Sequence, residues 1–535
     1  MKTIGNSKTT IQWLSVLSIS NLVQEFAPYN LIIFSFLYLL LFLFISLYLR
    51  RSLVKEDIQL QQKIVTPADY TIAITGFDTS DDFNEKDFLN KIVLEKSGNT
   101  CLVKYIFIQD ASEYNKNIEE LSALIKEKML IERYRISYKE RCKAFGIINI
   151  TDEYLSNIYP PRRLDLYPCC APTFTHYNKL EYLIKEKIKK VSEFNENYCA
   201  HLPKISLAYL TFLKAQEASK FLEQYRVSFL EYLFGKSELK YNNKSIFVRR
   251  APEPGDILWE NLQFSYSRRF FGSFIVTFVS LILFVCCFYL NLNLSKWQIS
   301  LASQIGNFFI QLIAVLGTSV LIILVNFIFK LLMPVFCKLI KCHTITSYNF
   351  RISSMLAIVR FINTAIIPIL SRPFEDHFVG FGILFTLCVN WILLSFTEPL
   401  LELLNFPYLY YWIVKLWEKN KGKKSKLLQI EANRLFEPPT SFYPDKFAVT
   451  TTLMFYTSFF VIYCPIMIFF TLLSLFINYV VDKFVFFNYY KKPEMLSGLL
   501  PRRTYNLIIS ICPLLICVYL NRFPILFSQF ITQKT

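Results

Sequence analysis

Glu398 and Glu402 stand one helical turn apart inside a long apolar run, where a carboxylate is costly unless it faces protein or water. The same argument singles out Gln311, Thr318, Ser319, Asn326, Asn363, Thr364, Asn390, Thr397 and Tyr456, polar side chains set in apolar stretches. Two chemistries are open to the carboxylates. In a water-filled path they would attract cations; near a helix end they would simply reach the cytosolic interface. Asn326 and Asn390 serve equally well as hydrogen-bond partners between helices.

Little else in the chain invites chemistry. The 4 histidines (His176, His201, His343, His377) are scattered, and the 13 cysteines include no CxxC pair, so no metal, zinc site or disulfide framework is expected. Nucleotide-binding G-x-x-x-x-G-K-[ST], hydrolase G-x-S-x-G and metalloprotease H-E-x-x-H are all missing. A TVGYG-like filter and a helix with arginine at every third position are missing too. The expectation is a non-enzymatic protein without cofactors.

What positions the polar residues is a series of apolar runs of roughly 18 to 25 residues, the length that crosses a hydrocarbon core of about 30 Å. Hydrophobic residues make up 53% of the chain and charged residues 19%, whereas soluble domains are about 25% charged. The runs are Asn30 to Leu49, Phe270 to Asn291, Gln304 to Phe329, Ser353 to Leu370, Val379 to Leu404, and Tyr505 to Leu520. Ala448 to Val481 is long enough for two more, with a break at Cys464 and Pro465. The chain thus reads as an α-helical polytopic membrane protein with about 8–9 transmembrane helices. The first run is too long for a signal-peptide core and is read as a retained helix.

Between the first run and the rest lies a soluble pattern. Tyr70 to Phe77, Leu102 to Gln109, Ile205 to Phe212 and Ile246 to Arg250 read as strands; Glu85 to Glu95 and Ala215 to Arg226 read as helices. The order β-α-β, insert, β-α-β predicts an α+β ferredoxin-like (RRM-like) cytosolic domain inserted after the first helix. Its insert, 113–202, holds helical stretches at Asn117 to Glu132 and Tyr177 to Glu193. The resulting organisation is a leader (1–29), a first transmembrane helix (30–49), the cytosolic domain (50–268), a transmembrane region (269–522) and a tail (523–535). Tyr209 and Phe212 faintly echo an RNA-binding strand, but the glycine-aromatic part of that motif is missing, so no nucleic acid is expected.

The net charge of +17 is explained by where the cations fall. With the soluble domain in the cytosol, the inner loops carry Lys330, Lys338, Lys341 and Arg351; Lys415 through Lys446; and Lys483, Lys491, Lys492, Arg502 and Arg503. The outer loops are poor, with Lys296 in one and Arg372 beside Glu375 and Asp376 in the next. That asymmetry is the positive-inside pattern. Sequons at Asn149 and Asn243 are then cytosolic and should be unmodified.

The segment Val248 to Leu262 (VRRAPEPGDILWENL) resembles the A-P-E-P-x-D-[IV]-x-W-x-N-L linker of the OSCA/CSC family of hyperosmolality- and stretch-gated, calcium-permeable cation channels. Thr66 to Thr71 is similar to that family's entry into its cytosolic domain, Ala208 to Ala218 to its strand-helix step, and Phe447 to Tyr489 to its late helix pair. The resemblance covers about 30–520. The family has two further helices ahead of the one before its cytosolic domain; the expectation here is a divergent or N-terminally trimmed member.

The resemblance implies a pore among the five helices that follow the cytosolic domain. Its candidate lining is Glu398, Glu402, Asn390, Thr397, Asn326, Gln311, Thr318, Asn363, Thr364 and Tyr456, with Glu398 foremost, because Val389 to Glu398 loosely matches the family's V-D-G-W…G-E stretch. It further implies permeant cations (Ca2+, K+, Na+), a lipid bilayer of the plasma membrane, mechanical or osmotic gating, and a homodimer through the cytosolic domain. Phospholipid scrambling of the anoctamin kind and a non-conducting scaffold are the alternatives. Pro334, Pro368, Pro399 and Pro465 are the expected helix breaks at which gating motion would be absorbed.

Overall fold

The computed structural model describes residues 27–63, 65–77, 84–94, 102–110, 112–144, 177–197, 204–226, 239–242, 244–304, 308–370, 383–422, 429–461, 467–491 and 498–534. Among these, six helical stretches are long and apolar enough to cross a membrane, from Phe36–Glu56 to Met467–Asn488. Their outward faces carry Phe270, Phe274, Leu324, Phe469, Leu472 and Phe476 exposed. Such a surface is tolerable only against lipid. The chain is a polytopic membrane protein with an inserted cytosolic domain.

Helix α1 (Ala27–Lys63) enters the cytosol, and the domain follows at once. Strands β1 (Thr71–Thr75), β2 (Leu102–Gln109), β3 (Lys204–Phe212) and β6 (Phe247–Arg250) form an antiparallel sheet in the order β2-β3-β1-β6. With α2 (Glu85–Leu89) after β1 and α5 (Ala215–Tyr225) after β3, this is the split βαβ arrangement that the strand and helix order predicts. A two-residue hairpin, β4 (Lys240–Tyr241) and β5 (Lys244–Ser245), precedes β6.

Strand alternation splits the sheet into two faces. Ile72, Ile74, Leu210, Phe212 and Val248 pack on Phe88 and Phe221 of the helices. Ala73, Leu207 and Tyr209 point the other way and pack on Ala251, Ile257 and Leu262 of the linker to the membrane. The insert forms two helices, α3 (Ser112–Ala144) and α4 (Tyr177–Asn197), both longer than expected. They run antiparallel, joined by Ile131, Leu180 and Ile184, by the Lys128–Glu181 ion pair (2.8 Å) and by the Lys187–Glu120 ion pair.

The membrane region comprises α6 (Tyr266–Gln304), α7 (Phe308–Cys337), α8 (Ile345–Phe361), α9 (Ile383–Leu404), α10 (Phe406–Lys421), α11 (Gln429–Phe436), α12 (Tyr443–Phe460), α13 (Met467–Asn488) and α14 (Leu499–Lys534). Helix α8 continues through a π-helical turn, Ile362–Ile366, into Ile367–Leu370. Helices α8 and α12 pack along each other at the centre; α14 covers both, with α1 outside it, while α7 and α9 close the opposite side. The late pair α12 and α13 is separated where the proline break is expected, although Cys464 and Pro465 themselves lie outside the described residues. Pro334 and Pro399 do not end their helices: α7 and α9 run through them.

The expected eight crossings included α12 and α14, which are helical but not among the six strongly apolar stretches. In α12 the reason is visible. Asp445, Thr451, Thr452, Thr457 and Ser458 are buried on it, so it is a helix wrapped by other helices rather than by lipid.

A buried charge cluster and polar seam

Helix periodicity brings four charges from four helices together. Arg360 lies on the last turn of α8 and is 0% exposed. Its Nη2 donates to Asp445 Oδ1 at 2.7 Å, in the first turn of α12, and lies 3.2 Å from Glu398 Oε1 on α9. Lys330 of α7 pairs with Asp445 and lies 3.6 Å from Glu398. Two cations face two carboxylates, so the cluster is formally neutral.

One turn toward the cytosol, a second cluster follows from the same spacing. Lys446 lies beside Asp445 in sequence and Glu402 four residues after Glu398. Lys446 Nζ is 2.6 Å from Glu402 and 2.8 Å from Asp482 of α13. Glu398 and Glu402 thus do sit near the cytosolic end of their helix, but neither is free. Both carboxylates are held by cations of neighbouring helices.

Moving outward by one turn, about 6 Å along the helices, Asn363 Nδ2 donates to Asn326 Oδ1 at 2.9 Å. Thr364 donates to the Arg360 carbonyl, and the π-helical turn at Ile362–Ile366 is what carries Asn363 and Thr364 into the interior. Farther out, the fully buried Tyr456 hydroxyl donates to the Leu387 carbonyl at 2.8 Å. Asn390 is 2% exposed.

Of the other predicted residues, Thr318 is buried but spends its hydroxyl on the Val315 carbonyl of its own helix, 2.9 Å away. Ser319 does likewise, at 2.8 Å. Thr397 is half-buried, and the Gln311 side chain lies outside the described residues. The structure therefore brings together Glu398, Asn326, Asn363, Thr364, Asn390 and Tyr456 in one seam between α7, α8, α9 and α12, with Glu402 beneath it.

The missed members are Lys330, Arg360 and Asp445. Arg360 and Lys330 stand in or beside apolar runs, which is the same signal that marked Glu398. By position alone Lys330 reads as an inner-loop cation. Opposite charges so placed are a pairing signal as strong as the carboxylates.

Several buried atoms of these helices have no protein partner: Arg360 Nε and Nη1, Asn326 Nδ2, and Asn390 Oδ1 and Nδ2 in the seam, and Trp391 Nε1 and Ser395 Oγ where α9 meets α13. Each costs about 1–3 kcal/mol if left dry. They come from the same helices that hold the ion pairs.

The second feature is the linker. Asp256 Oδ1 accepts from the Thr346 backbone N–H (2.7 Å) and hydroxyl (2.8 Å), so a residue of the linker caps the N-terminus of α8. Leu258 N donates to the His343 carbonyl (2.9 Å) and Asn261 Nδ2 to the Cys342 carbonyl (2.9 Å). Ile257 bridges Thr344. His343 Nε2 meets the Phe264 carbonyl at 3.1 Å, and burial drives its pKa down to about 4. The Asp-Ile-x-Trp-x-Asn pattern thus fastens the cytosolic domain to the turn between α7 and α8. Gly272 on α6 completes the joint, because a Cβ there would come within 2.7 Å of the Leu339 carbonyl.

Comparison with known families bears on this same region. Residues 69–261 match the family model described as "Cytosolic domain of 10TM putative phosphate transporter". No curated protein matches the chain.

Proposed function

We propose that this protein is a membrane channel whose polar path follows the seam between α7, α8, α9 and α12, closed at its cytosolic end by the Lys330–Arg360–Glu398–Asp445 cluster. The observation that carries this reading is the run of buried polar atoms without protein partners along one seam. A bundle meant only to be solid would fill such a seam with apolar side chains, whereas a hydrated path supplies each atom with a partner. The match of residues 69–261 to a transporter-family cytosolic domain supports the same class of function.

In this reading the neutral cluster is a gate, since an ion crossing it must first find the pairs parted. Helix α8 is the element that moves. It carries Arg360 and the π-helical turn, and its cytosolic end is fastened to the cytosolic domain through Asp256. The resemblance of the linker to OSCA-type channels extends the proposal to stretch gating, calcium-permeable cation conduction, a plasma-membrane location and assembly as a dimer. When the pairs part, Glu398 and Asp445 line the opening and favour cations.

The test is reconstitution of the full chain into liposomes and patch recording under suction. Stretch-evoked cation current is expected. Glu398→Gln leaves Arg360 and Lys330 sharing one carboxylate, so basal flux should rise without applied tension. Folded protein that stays silent under suction, with Glu398→Gln equally silent, would sink the channel reading. Lipid flip without conductance in the same liposomes would favour scrambling instead, and neither activity would leave a scaffold.

A further inference from the structure

The turn between α7 and α8 lies among guanidinium groups from four different elements. Arg249 comes from β6, Arg269 from the first turns of α6, Arg351 from α8 and Arg503 from the first turns of α14. Pairing places Arg249 and Tyr209 on either side of Ala73, on the sheet face turned toward the linker. Arg249 and Arg269 act electrostatically on His343, and Arg269, Arg351 and Arg503 on Cys342, so their fields overlap at this turn.

The Asp256 carboxylate feels Arg503, and it is already spent on Thr346. Arg249 Nε and Arg269 Nε are buried and have no partner. Arg503 is exposed, with Nη1 donating to Ser347 Oγ at 3.0 Å, and Arg351 Nη1 donates to Ser273 Oγ at 3.2 Å. Helices α6, α8 and α14 all begin here, and the positive ends of their dipoles add to the same field. Burial, with repulsion from Arg503 behind it, pulls the pKa of Arg249 down. Like charges gathered so, two of them with a buried Nε that has no partner, call for a polyanion arriving from outside.

We propose that Arg249, Arg269 and Arg503 form a phosphate-binding site at the cytosolic junction of the domain and the membrane helices. The ligand chemistry is a phosphate group, carried by an anionic lipid headgroup or free in the cytosol. The junction lies where the candidate spans Val315–Ile340 and Ile345–Leu370 meet, and Arg503 is exposed, so either source can reach it. Occupancy would tie β6, α6 and α14 together beside the Asp256 latch. The site stands apart from the polar seam and does not depend on conduction.

The test is native mass spectrometry of the purified full chain in a neutral detergent, titrated in separate arms with a dioctanoyl phosphatidylinositol bisphosphate and with inorganic phosphate. A saturable adduct is expected, weakened about tenfold or more in Arg249→Gln/Arg503→Gln and unchanged in Arg502→Gln, an exposed neighbour outside the cluster. Inorganic phosphate competing for the adduct identifies the free ion as a ligand; a lipid adduct that it fails to displace identifies the headgroup. If the double variant does not fold, Arg503→Gln alone, at an exposed position, carries the test, and Arg503→Lys should retain part of the binding. No saturable adduct in either arm overturns the site. So does equal weakening by Arg502→Gln, which would reduce the binding to diffuse surface charge.

Discussion

Arg360 has no solvent to fall back on, so its charge is tolerable only because Asp445 and Glu398 stand within reach. In the proposed channel that fixes the order of events: the carboxylates can part from Arg360 only if water enters the seam behind them. A second residue carries its own signature outside the membrane. His343 is kept neutral, its pKa held at about 4 by burial and the neighbouring arginines, against about 6.5 in an unfolded chain. Between those values the unfolded chain binds more protons, so stability rises with pH across that window and is lost as pH falls from about 6.5 toward 4, by up to about 3 kcal/mol. Burial raises the Asp256 pKa and so acts in the opposite direction. Thermal unfolding of the detergent-solubilised protein at about pH 4.5 and about pH 7 is the measurement, and His343→Gln should flatten the difference.

At the scale of elements, the linker is the part whose pattern means most. Pro254 opens a short 3-10 turn, Pro254–Asp256, but the linker's polar residues are what tie two distant stretches: Asp256 caps a helix 90 residues further along the chain. Replacing Asp256 with Ala strands the Thr346 N–H and hydroxyl and should cost about 1–2 kcal/mol. The check is local as well as global. Amide exchange in the first turn of α8 should accelerate, while that of β1 and β3, held by their own ladder, should not. Uniform acceleration would mean that Asp256 stabilises the fold at large rather than fastening one helix.

For the molecule as a whole, the apolar outer face and the cation-rich inner loops place one solvent outside the bundle and another around the cytosolic domain. Lys189 on α4 is a convenient reporter, with its side chain 78% exposed. Lys189→Cys in a cysteine-free background should react with an impermeant maleimide only after the cells are permeabilised. Labelling of intact cells would invert the topology and move the charge cluster to the outer end of the bundle.

The sequence by itself determined the solvent of each part and the order of its elements along the chain. Run length against bilayer thickness, strand alternation and loop charge are local properties, and the β-α-β, insert, β-α-β order they give is that of the split βαβ domain observed. It also marked Glu398, Asn326, Asn363 and Asn390 as interior, because a polar atom in hydrocarbon is costly wherever its partner lies. Only the tertiary structure decided those partners. Glu398 meets Arg360 and Lys330 across distances in the chain that no periodicity encodes. Pairing is a property of how helices pack, and packing made the Glu398 carboxylate half of a buried salt bridge.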